Sequence, residues 1–291
     1  MTPYRIALLA LLASISLGWS SVWAEDLTGT LKKIKDSGEI TIGNRESSVP
    51  FSYLDEHGIP VGYSVDLCKT VVDEVKKTLN LPNLKVRYMT VAPAARIPLL
   101  SNGTIDLECS TTDRTLARMR QVAFSVPTFV IGGRILTKVG SGIADWSDLH
   151  RKVIGVAQGT HTEQLVNALV ATPAYAGTRV LTLKDHAQGL LALETGRVDG
   201  YVTDDIVLYG LRSTSRMKNQ LAVTGKPLSV DTYAIVLRRD DPDFEIVVDH
   251  ALSELYQSPE IEALYHKWFD RFDIPMSAEN RCMYQIGALG P

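Results

Sequence analysis

The chain has 291 residues, of which 45% are hydrophobic and 22% charged, enough for one large globular domain or two smaller ones. Its 33 acidic side chains outnumber 30 basic ones, and the net charge of −3 argues against a nucleic-acid partner. The three cysteines and six histidines lack the spacing of metal ligands, so we expect neither a metal nor a cofactor.

The first 24 residues predict a secretory signal peptide. A single early cation, Arg5, precedes an apolar stretch over 6–17, and Ala24 is a small residue before a polar start. The alternative is an uncleaved membrane anchor, but the apolar run is shorter than the roughly 20 residues that span a bilayer. We therefore expect cleavage after Ala24 and a periplasmic mature chain.

The rest of the chain alternates short apolar runs with helical patterns, which predicts an α/β fold with mainly parallel sheets. Strands are predicted over 40–43, 85–90, 105–109, 128–137, 153–157, 179–183, 199–203 and 232–238. Helices are predicted over 64–79, 94–101, 115–120, 161–171, 186–195, 243–257 and 259–269.

A weak internal repeat relates residues 100–111 to residues 193–204. In both segments a leucine at the end of a helix is followed by a glycine, an aspartate and a strand that ends on a polar residue, all at the same spacing. Glycine after a helix supplies a left-handed cap. Because two copies share the spacing, we expect two similar α/β lobes.

Polar side chains follow the ends of several predicted strands. Arg45, Thr111, Thr160 and Asp204 occupy such positions, and ligands of open α/β sheets bind beyond the carboxyl ends of the strands. A solvated loop is the usual place for one arginine. Because Arg45 is one of four such residues, we expect it to face a crevice between the lobes.

The cysteines allow at most one disulfide, because Cys68, Cys109 and Cys282 are an odd number in an exported chain. The sequence does not determine whether any two pair. Cys68 shares a helical face with valines, which favours a buried apolar role for it: Val65, Val71, Val72 and Val75.

Eight segments resemble the periplasmic solute-binding proteins of ABC amino-acid importers, family 3, in the glutamate/aspartate-binding branch. The resemblance spans nearly the whole mature chain: GNRESSVPFSY (43–53), GYSVDLC (62–68), ARIPLLSNGTIDLECSTT (95–112), RQVAFS (120–125), GTHTE (159–163), KDH (184–186), ETGRVDGYVTDD (194–205) and YAIVLRRDDPDF (233–244).

The resemblance implies a monomer with the two-lobed type II periplasmic binding protein fold. Lobe 1 would comprise 25–132 and 234–291, and lobe 2 would comprise 133–233. The hinge would be two crossing strands near 128–137 and 230–238.

By the same resemblance, Arg118 clamps the α-carboxylate of an amino acid. Thr112 and Thr160 would support it with hydroxyl and backbone donors, and Thr111 joins the ligand-binding set. A bidentate guanidinium suits a carboxylate, and the helix that starts after Thr160 adds backbone N–H groups. Asp204 would receive the α-ammonium.

Arg45, Arg96 and His186 match the positions that hold the side-chain carboxylate in the acidic branch. Three such donors around a neutral ligand would leave buried charge unpaired, whereas a second ligand carboxylate would pair it. Alternatively, Arg96 and His186 could each cap the helix they begin.

Two residues depart from the family pattern. Pro93 stands where the acidic branch has a serine donor, and Asp113 stands where a threonine is expected. Asp113 would repel a ligand carboxylate unless Arg114 or another cation neutralises it, or it faces away. Glutamate, aspartate and other dicarboxylates therefore stay open as ligands.

The resemblance implies a non-enzymatic binder that delivers L-glutamate or L-aspartate to an ABC permease in the inner membrane by closure of its two lobes. One alternative is a dehydratase-like enzyme on the same scaffold, with Asp113 or His186 as the acid or base. The other is a free-standing sensor for a membrane receptor.

Overall fold

The computed structural model describes residues 27–290, so the predicted signal peptide over 1–24 lies outside the described part. Within that part, no helix is both long enough and apolar enough to cross a membrane. The helices are α1 (Gly29–Ser37), α2 (Tyr63–Leu79), α3 (Arg96–Ser101), α4 (Leu116–Met119), α5 (His161–Val170), α6 (His186–Glu194), α7 (Asp205–Thr214), α8 (Pro242–Gln257), α9 (Glu260–Phe269) and α10 (Ala278–Gly287).

The strands form two five-stranded sheets and one small three-stranded sheet. They are β1 (Glu39–Asn44), β2 (Ser47–Ser48), β3 (Ser52–Leu54), β4 (Pro60–Val61), β5 (Lys85–Thr90), β6 (Leu107–Glu108), β7 (Val122–Ile131), β8 (Gly133–Lys138), β9 (Val153–Ala157), β10 (Arg179–Leu183), β11 (Gly200–Asp204), β12 (Leu221–Thr224) and β13 (Asp231–Arg238).

The two large sheets are the cores of two lobes. The first has the order β5-β1-β6-β13-β7, and the second has the order β10-β9-β11-β8-β12. Each has three parallel strands and two strands with antiparallel pairing, so the expectation of mainly parallel sheets holds only for the helix-connected strands. Of the other strands, β13 and β8 run opposite to these strands, whereas β7 and β12 run in the same direction as they leave their sheets for the other lobe.

The predicted single strand over 128–137 is two strands in different sheets. Gly132 separates β7 from β8, and a Cβ atom there would lie 2.9 Å from Cβ of Pro227 and 3.0 Å from the carbonyl oxygen of Ser229. Gly132 thus lies where the second connection between the lobes, from β12 to β13, passes closely beside the first.

An aromatic cluster explains the unusual segment that follows β1. Phe51 is fully buried, with its ring edge against Phe129 at 5.0 Å and Tyr233 at 5.1 Å between centroids. The next residue, Ser52, accepts a hydrogen bond from the backbone N–H of Arg45 at 3.0 Å. The aromatic anchor therefore fixes the turn that carries Arg45.

Cys68 is fully buried, as expected, but it is not a free apolar side chain. It forms a disulfide with Cys109, 41 residues away, which joins α2 to the residue after β6. Cys282 is free and exposed.

Candidate functional site

The candidate ligand-binding residues converge on the crevice where the carboxyl ends of strands from both sheets meet. Arg45 follows β1, Thr111 follows β6, Thr160 follows β9, and Asp204 ends β11. All eight candidates are buried, and the others are Arg96, Thr112, Arg118 and His186. Four charged side chains among them are unusual, because charged groups are seldom buried without partners.

Arg45 and Arg96 are each 1% exposed and carry unsatisfied donors. Nη1 of Arg45, and Nε and Nη2 of Arg96, lack a hydrogen-bond partner among the described residues. Nη1 of Arg96 donates to the carbonyl oxygen of Thr111 at 3.0 Å. Burial lowers the pKa of Arg45, and burial together with the charge of Arg118 lowers the pKa of Arg96 to about 10. These donors form an electropositive pocket suited to a carboxylate.

His186 begins α6 beside the two arginines. Burial, followed by the charges of Arg45 and Arg96, lowers its pKa well below the usual value, so the imidazole is neutral at pH 7. Its Nδ1 lies 2.8 Å from the hydroxyl of Tyr201. If that hydroxyl donates, the proton stays on Nε2, and His186 acts as a neutral donor. The helix cap is instead the side chain of Asp185, which accepts from Gln188.

Glu108 is a buried carboxylate that organises the loop after β6. It accepts hydrogen bonds from the hydroxyls of Ser110 and Thr112, the latter at 2.6 Å. The hydroxyl hydrogen of Thr112 is therefore committed to Glu108, which leaves the backbone of this loop to support a ligand. Glu108 also offsets part of the positive charge of Arg45 and Arg96.

Arg118 is the cation that neutralises Asp113. Its Nη1 donates to the carboxylate Oδ2 of Asp113 and to its carbonyl oxygen, both at 2.9 Å. Its Nη2 donates to the carbonyl oxygen of Gly159 in the second lobe at 3.1 Å. Asp113 thus faces the crevice, with Arg118 rather than Arg114 as its ion-pair partner.

Thr160 caps α5 at the opposite wall. Its hydroxyl donates to the carbonyl oxygen of Ala157 at 2.7 Å and accepts from the backbone N–H of Glu163 at 3.0 Å. The hydroxyl hydrogen is therefore used within the lobe. The helix start contributes its dipole and its first backbone N–H groups to the crevice.

Asp204 provides the negative end of the site. It is 6% exposed and accepts hydrogen bonds from the hydroxyl of Tyr233 and, at 3.4 Å, from that of Thr162. Burial and the nearby charge of Asp113 raise its pKa well above the usual value. A cation at this position would stabilise the ionised carboxylate.

The two lobes touch across the crevice. The backbone N–H of Ala187 donates to the hydroxyl of Ser47 at 3.2 Å, and Arg118 bonds to Gly159 as described. A Cβ atom at Gly159 would lie 2.6 Å from Cα of Ala94. These contacts, together with the burial of the site, describe a closed cleft.

Sequence reasoning identified the guanidinium groups but missed their buried neighbours. Glu108, Tyr201 and Tyr233 lie inside predicted strands and have no distinctive spacing. One signal could have identified Glu108, which lies near the end of a strand, three residues before Thr111. Because ligands bind beyond the carboxyl ends of strands, this position indicates a crevice residue, as it did for Arg45.

Known proteins resemble this chain over most of its length. Residues 40–271 match the family model for bacterial extracellular solute-binding proteins, family 3. The chain belongs to this family. Its two-lobed α/β fold is also that of solved amino-acid-binding proteins, including an ancestral arginine-binding protein bound to arginine. That structure has a TM-score of 0.71 at 29% identity, and the match covers 80% of this chain and 98% of the other.

Two curated relatives are similar to this chain over most of their length. The L-glutamate/L-aspartate-binding protein of Pseudomonas aeruginosa is 43% identical over 267 residues, which cover 89% of this chain and 88% of that protein. The glutamate/aspartate import solute-binding protein of Escherichia coli K12 is 40% identical over 263 residues, with coverage of 90% and 87%.

The fold is shared with an ancestor of an enzyme as well. The ancestral amino acid-binding protein AncCDT-1, a precursor of cyclohexadienyl dehydratase, has a TM-score of 0.71 at 25% identity and matches 83% of this chain and 100% of its own. Even this neighbour is described as an amino acid-binding protein.

Proposed function

We propose that the chain is the substrate-binding component of an ABC importer and binds L-glutamate or L-aspartate between its lobes. The observation that carries the proposal is the set of buried guanidinium N–H groups on Arg45 and Arg96 that have no partner in the described chain. A side-chain carboxylate of the ligand satisfies them, with a further hydrogen bond from His186. The ammonium binds Asp204.

The relatives support the acidic ligand and the transport role. Both curated proteins quoted above are named for glutamate and aspartate, and the name of the Escherichia coli protein specifies import. A ligand held by groups of both lobes stabilises the closed state, which is the form that an inner-membrane permease would receive. The chain acts as a monomer in this scheme.

The lobe boundaries are part of the proposal. Lobe 1 comprises 25–132 and 234–291, and lobe 2 comprises 133–233. Sheet membership supports them, because β7 and β13 lie in the first sheet while β8 and β12 lie in the second.

The family is described as extracellular solute-binding proteins, which supports a location outside the cytoplasm. We propose that the chain reaches the periplasm through a signal peptide cleaved after Ala24. Terminal sequencing of the exported protein should then begin at Glu25, and an intact Met1 would contradict the cleavage.

The binding role requires no catalytic residue. The curated relatives are binding proteins, and the acid or base that an enzyme would need already has a partner here, since Asp113 is paired with Arg118 and His186 contacts Tyr201. The chain is a binding protein rather than an enzyme.

Calorimetry tests the proposal directly. Protein stripped of ligand by unfolding and refolding is titrated with the twenty amino acids and several dicarboxylates, and each ligand is analysed for product afterwards. Glutamate or aspartate should bind most tightly among the twenty and be recovered unchanged. Loss of uptake in a strain that lacks the protein separates import from signalling.

A further inference from the structure

Arg118 is already paired with a carboxylate of the protein, that of Asp113, at the position where the α-carboxylate of a ligand would bind. The Oδ2 atom of Asp113 lies 2.9 Å from Nη1 of Arg118, with the two side chains 4% and 8% exposed. The carbonyl oxygens of Asp113 and Gly159 take further N–H groups of the same guanidinium. An α-carboxylate that approached Arg118 would therefore meet the negative charge of Asp113 in a poorly solvated site.

The Arg45 end of the cleft differs, because its guanidinium groups have N–H groups without a hydrogen-bond acceptor in the described residues. Nη1 of Arg45 and two nitrogens of Arg96 have no partner in the described residues, and Arg96 makes one bond to a backbone oxygen. The cleft thus presents open donors for one carboxylate at the Arg45 end and an ion pair at the Arg118 end.

With Asp204 ionised, as an ammonium ligand requires, the buried guanidinium groups of the cleft already have at least as many carboxylates around them. Three guanidinium groups face three carboxylates: Arg45, Arg96 and Arg118 against Glu108, Asp113 and Asp204. Asp185, which caps α6, adds a further negative charge near Arg45. A ligand with one ammonium and one carboxylate leaves the net charge of the cleft unchanged, whereas a dicarboxylic amino acid adds an uncompensated negative charge.

The two carboxylates at the ammonium end act on each other. Asp113 bridges in the sheet to Tyr233, whose hydroxyl donates to Asp204. The charge of Asp113 is the largest contribution after burial to the raised pKa of Asp204. An ammonium group near both carboxylates would relieve their repulsion.

We propose that Asp113 stands in for the α-carboxylate of the ligand, so that the cleft binds ω-amino monocarboxylic acids at least as tightly as the corresponding acidic amino acids. The carboxylate of such a ligand lies on Arg45 and Arg96, and its ammonium lies between Asp204 and Asp113. The ligand class comprises 3-aminopropanoate, 4-aminobutanoate and 5-aminopentanoate. This inference rests on the proposed function, because it uses the same cleft and the same carboxylate pocket.

The test compares ligands that differ only by the α-carboxylate. Calorimetry of the ligand-stripped protein is run with L-glutamate against 4-aminobutanoate and with L-aspartate against 3-aminopropanoate, and 5-aminopentanoate extends the series in length. We expect at least one ω-amino acid to match or exceed its parent in affinity. Both affinities of a pair are measured on one preparation, so their ratio does not depend on the active fraction.

The variants Asp113→Asn and Asp113→Thr decide whether Asp113 is responsible. Each removes the carboxylate that pairs with Arg118 and with it one negative charge, so the ratio should shift toward the dicarboxylic ligand by about tenfold or more, which corresponds to roughly 1.4 kcal/mol. Thermal melting shows whether either variant is impaired in folding. If Asp113→Thr is impaired, Asp113→Asn provides the test, because asparagine has the same shape as aspartate.

Three results would contradict the inference, and they are distinguishable. If the unaltered protein prefers glutamate and aspartate to both decarboxylated analogues by more than about tenfold, the ω-amino acid class is wrong and the proposed function stands. If neither class binds, the proposed function fails as well. A ratio unchanged by both variants would make Asp113 a structural residue.

Discussion

Gly210 in α7 packs directly against the backbone of Val49 in the first lobe. A Cβ atom at Gly210 would lie 2.2 Å from the carbonyl oxygen of Val49, a backbone atom that cannot rotate away. Gly210 lies within a helix, where alanine is favoured by about 1 kcal/mol. The glycine is therefore explained by the approach of the two lobes rather than by local conformation.

Gly210→Ala should hold the lobes apart without harming either. We expect ligand affinity to fall by about tenfold or more, equivalent to roughly 1.4 kcal/mol, while the melting temperature of the ligand-free protein stays level or rises. Small-angle scattering with saturating ligand should show a less compact particle than the unaltered protein. Asn167→Ala, at an exposed position on α5 of the same lobe, is the matched control and should leave the affinity and the scattering profile unchanged.

Arg96→Met should separate affinity from stability. Loss of a donor to a buried ligand carboxylate costs about 2–5 kcal/mol of binding, and glutamine or asparagine should lose much less than glutamate or aspartate. Arg45→Met should act in the same direction. If the acid and its amide lose equal binding free energy, these arginines do not bind the side-chain carboxylate.

The same Arg96→Met substitution should stabilise the ligand-free protein. Burial lowers the pKa of Arg96 to about 10 in the folded state, so the charged form is disfavoured by folding at every pH below that value. Denaturant unfolding at pH 7 without ligand should show an increased free energy of unfolding. Arg197→Met, at an exposed position, is the control and should leave that energy nearly unchanged.

Asp204 should couple binding to proton release. Its raised pKa means that the ligand-free carboxyl retains its proton to a higher pH than usual, whereas an ammonium ligand requires the ionised form. Affinity should therefore increase with pH through the titration of Asp204, and calorimetric enthalpies should depend on the ionisation enthalpy of the buffer. If the binding enthalpy is the same in two buffers that differ in ionisation enthalpy, binding releases no proton and this prediction is wrong.

Asp204→Asn should remove the buffer dependence and weaken ligands that carry an amine by about 2–5 kcal/mol. Glutarate lacks the amine and should be affected much less. A parallel loss for glutarate would indicate that the substitution disturbs the cleft as a whole.

The disulfide should stabilise lobe 1 appreciably. A bridge between residues 41 apart restricts the unfolded chain, and removal of such bridges costs about 2–4 kcal/mol. Cys68→Ser with Cys109→Ser should lower the free energy of unfolding by that amount, whereas Cys282→Ser should have no effect because that thiol is free and exposed. Added reductant should lower the free energy of unfolding of the unaltered protein by the same amount. It should have no effect on the double variant, which has no disulfide to reduce.

Local patterning was enough to locate most regular elements. The valine face predicted the helix over 64–79, observed as Tyr63–Leu79, and β5, β9 and β10 occupy the predicted residues. The helix α7 was not predicted, because its apolar residues directly follow a strand. It also contains Gly210, a poor helix former whose presence is explained only by its contact with Val49 of the other lobe. The strand over 128–137 was divided for a similar reason, at a glycine pressed against Pro227.

The candidate site shows the same limit. Arg45 was recognisable because a charged residue after a buried strand is conspicuous, whereas Arg96 and Arg118 were assigned from the family resemblance. The pairing of Asp113 with Arg118 depends on how a four-residue helix turns back on its own loop, and the disulfide depends on the packing of α2 against β6. Periodicity reports which face of an element is buried, but not which distant group meets it.

The position of β13 between β6 and β7 makes the two lobes unequal during synthesis and export. The second sheet is complete once residue 224 has emerged, since all its strands lie between Gly133 and Thr224. The first sheet lacks an interior strand until residue 238 follows, and α8 must then pack against α2. Lobe 2 can therefore fold while lobe 1 still waits for its C-terminal part, and the Arg45 and Asp204 walls of the cleft form at different times.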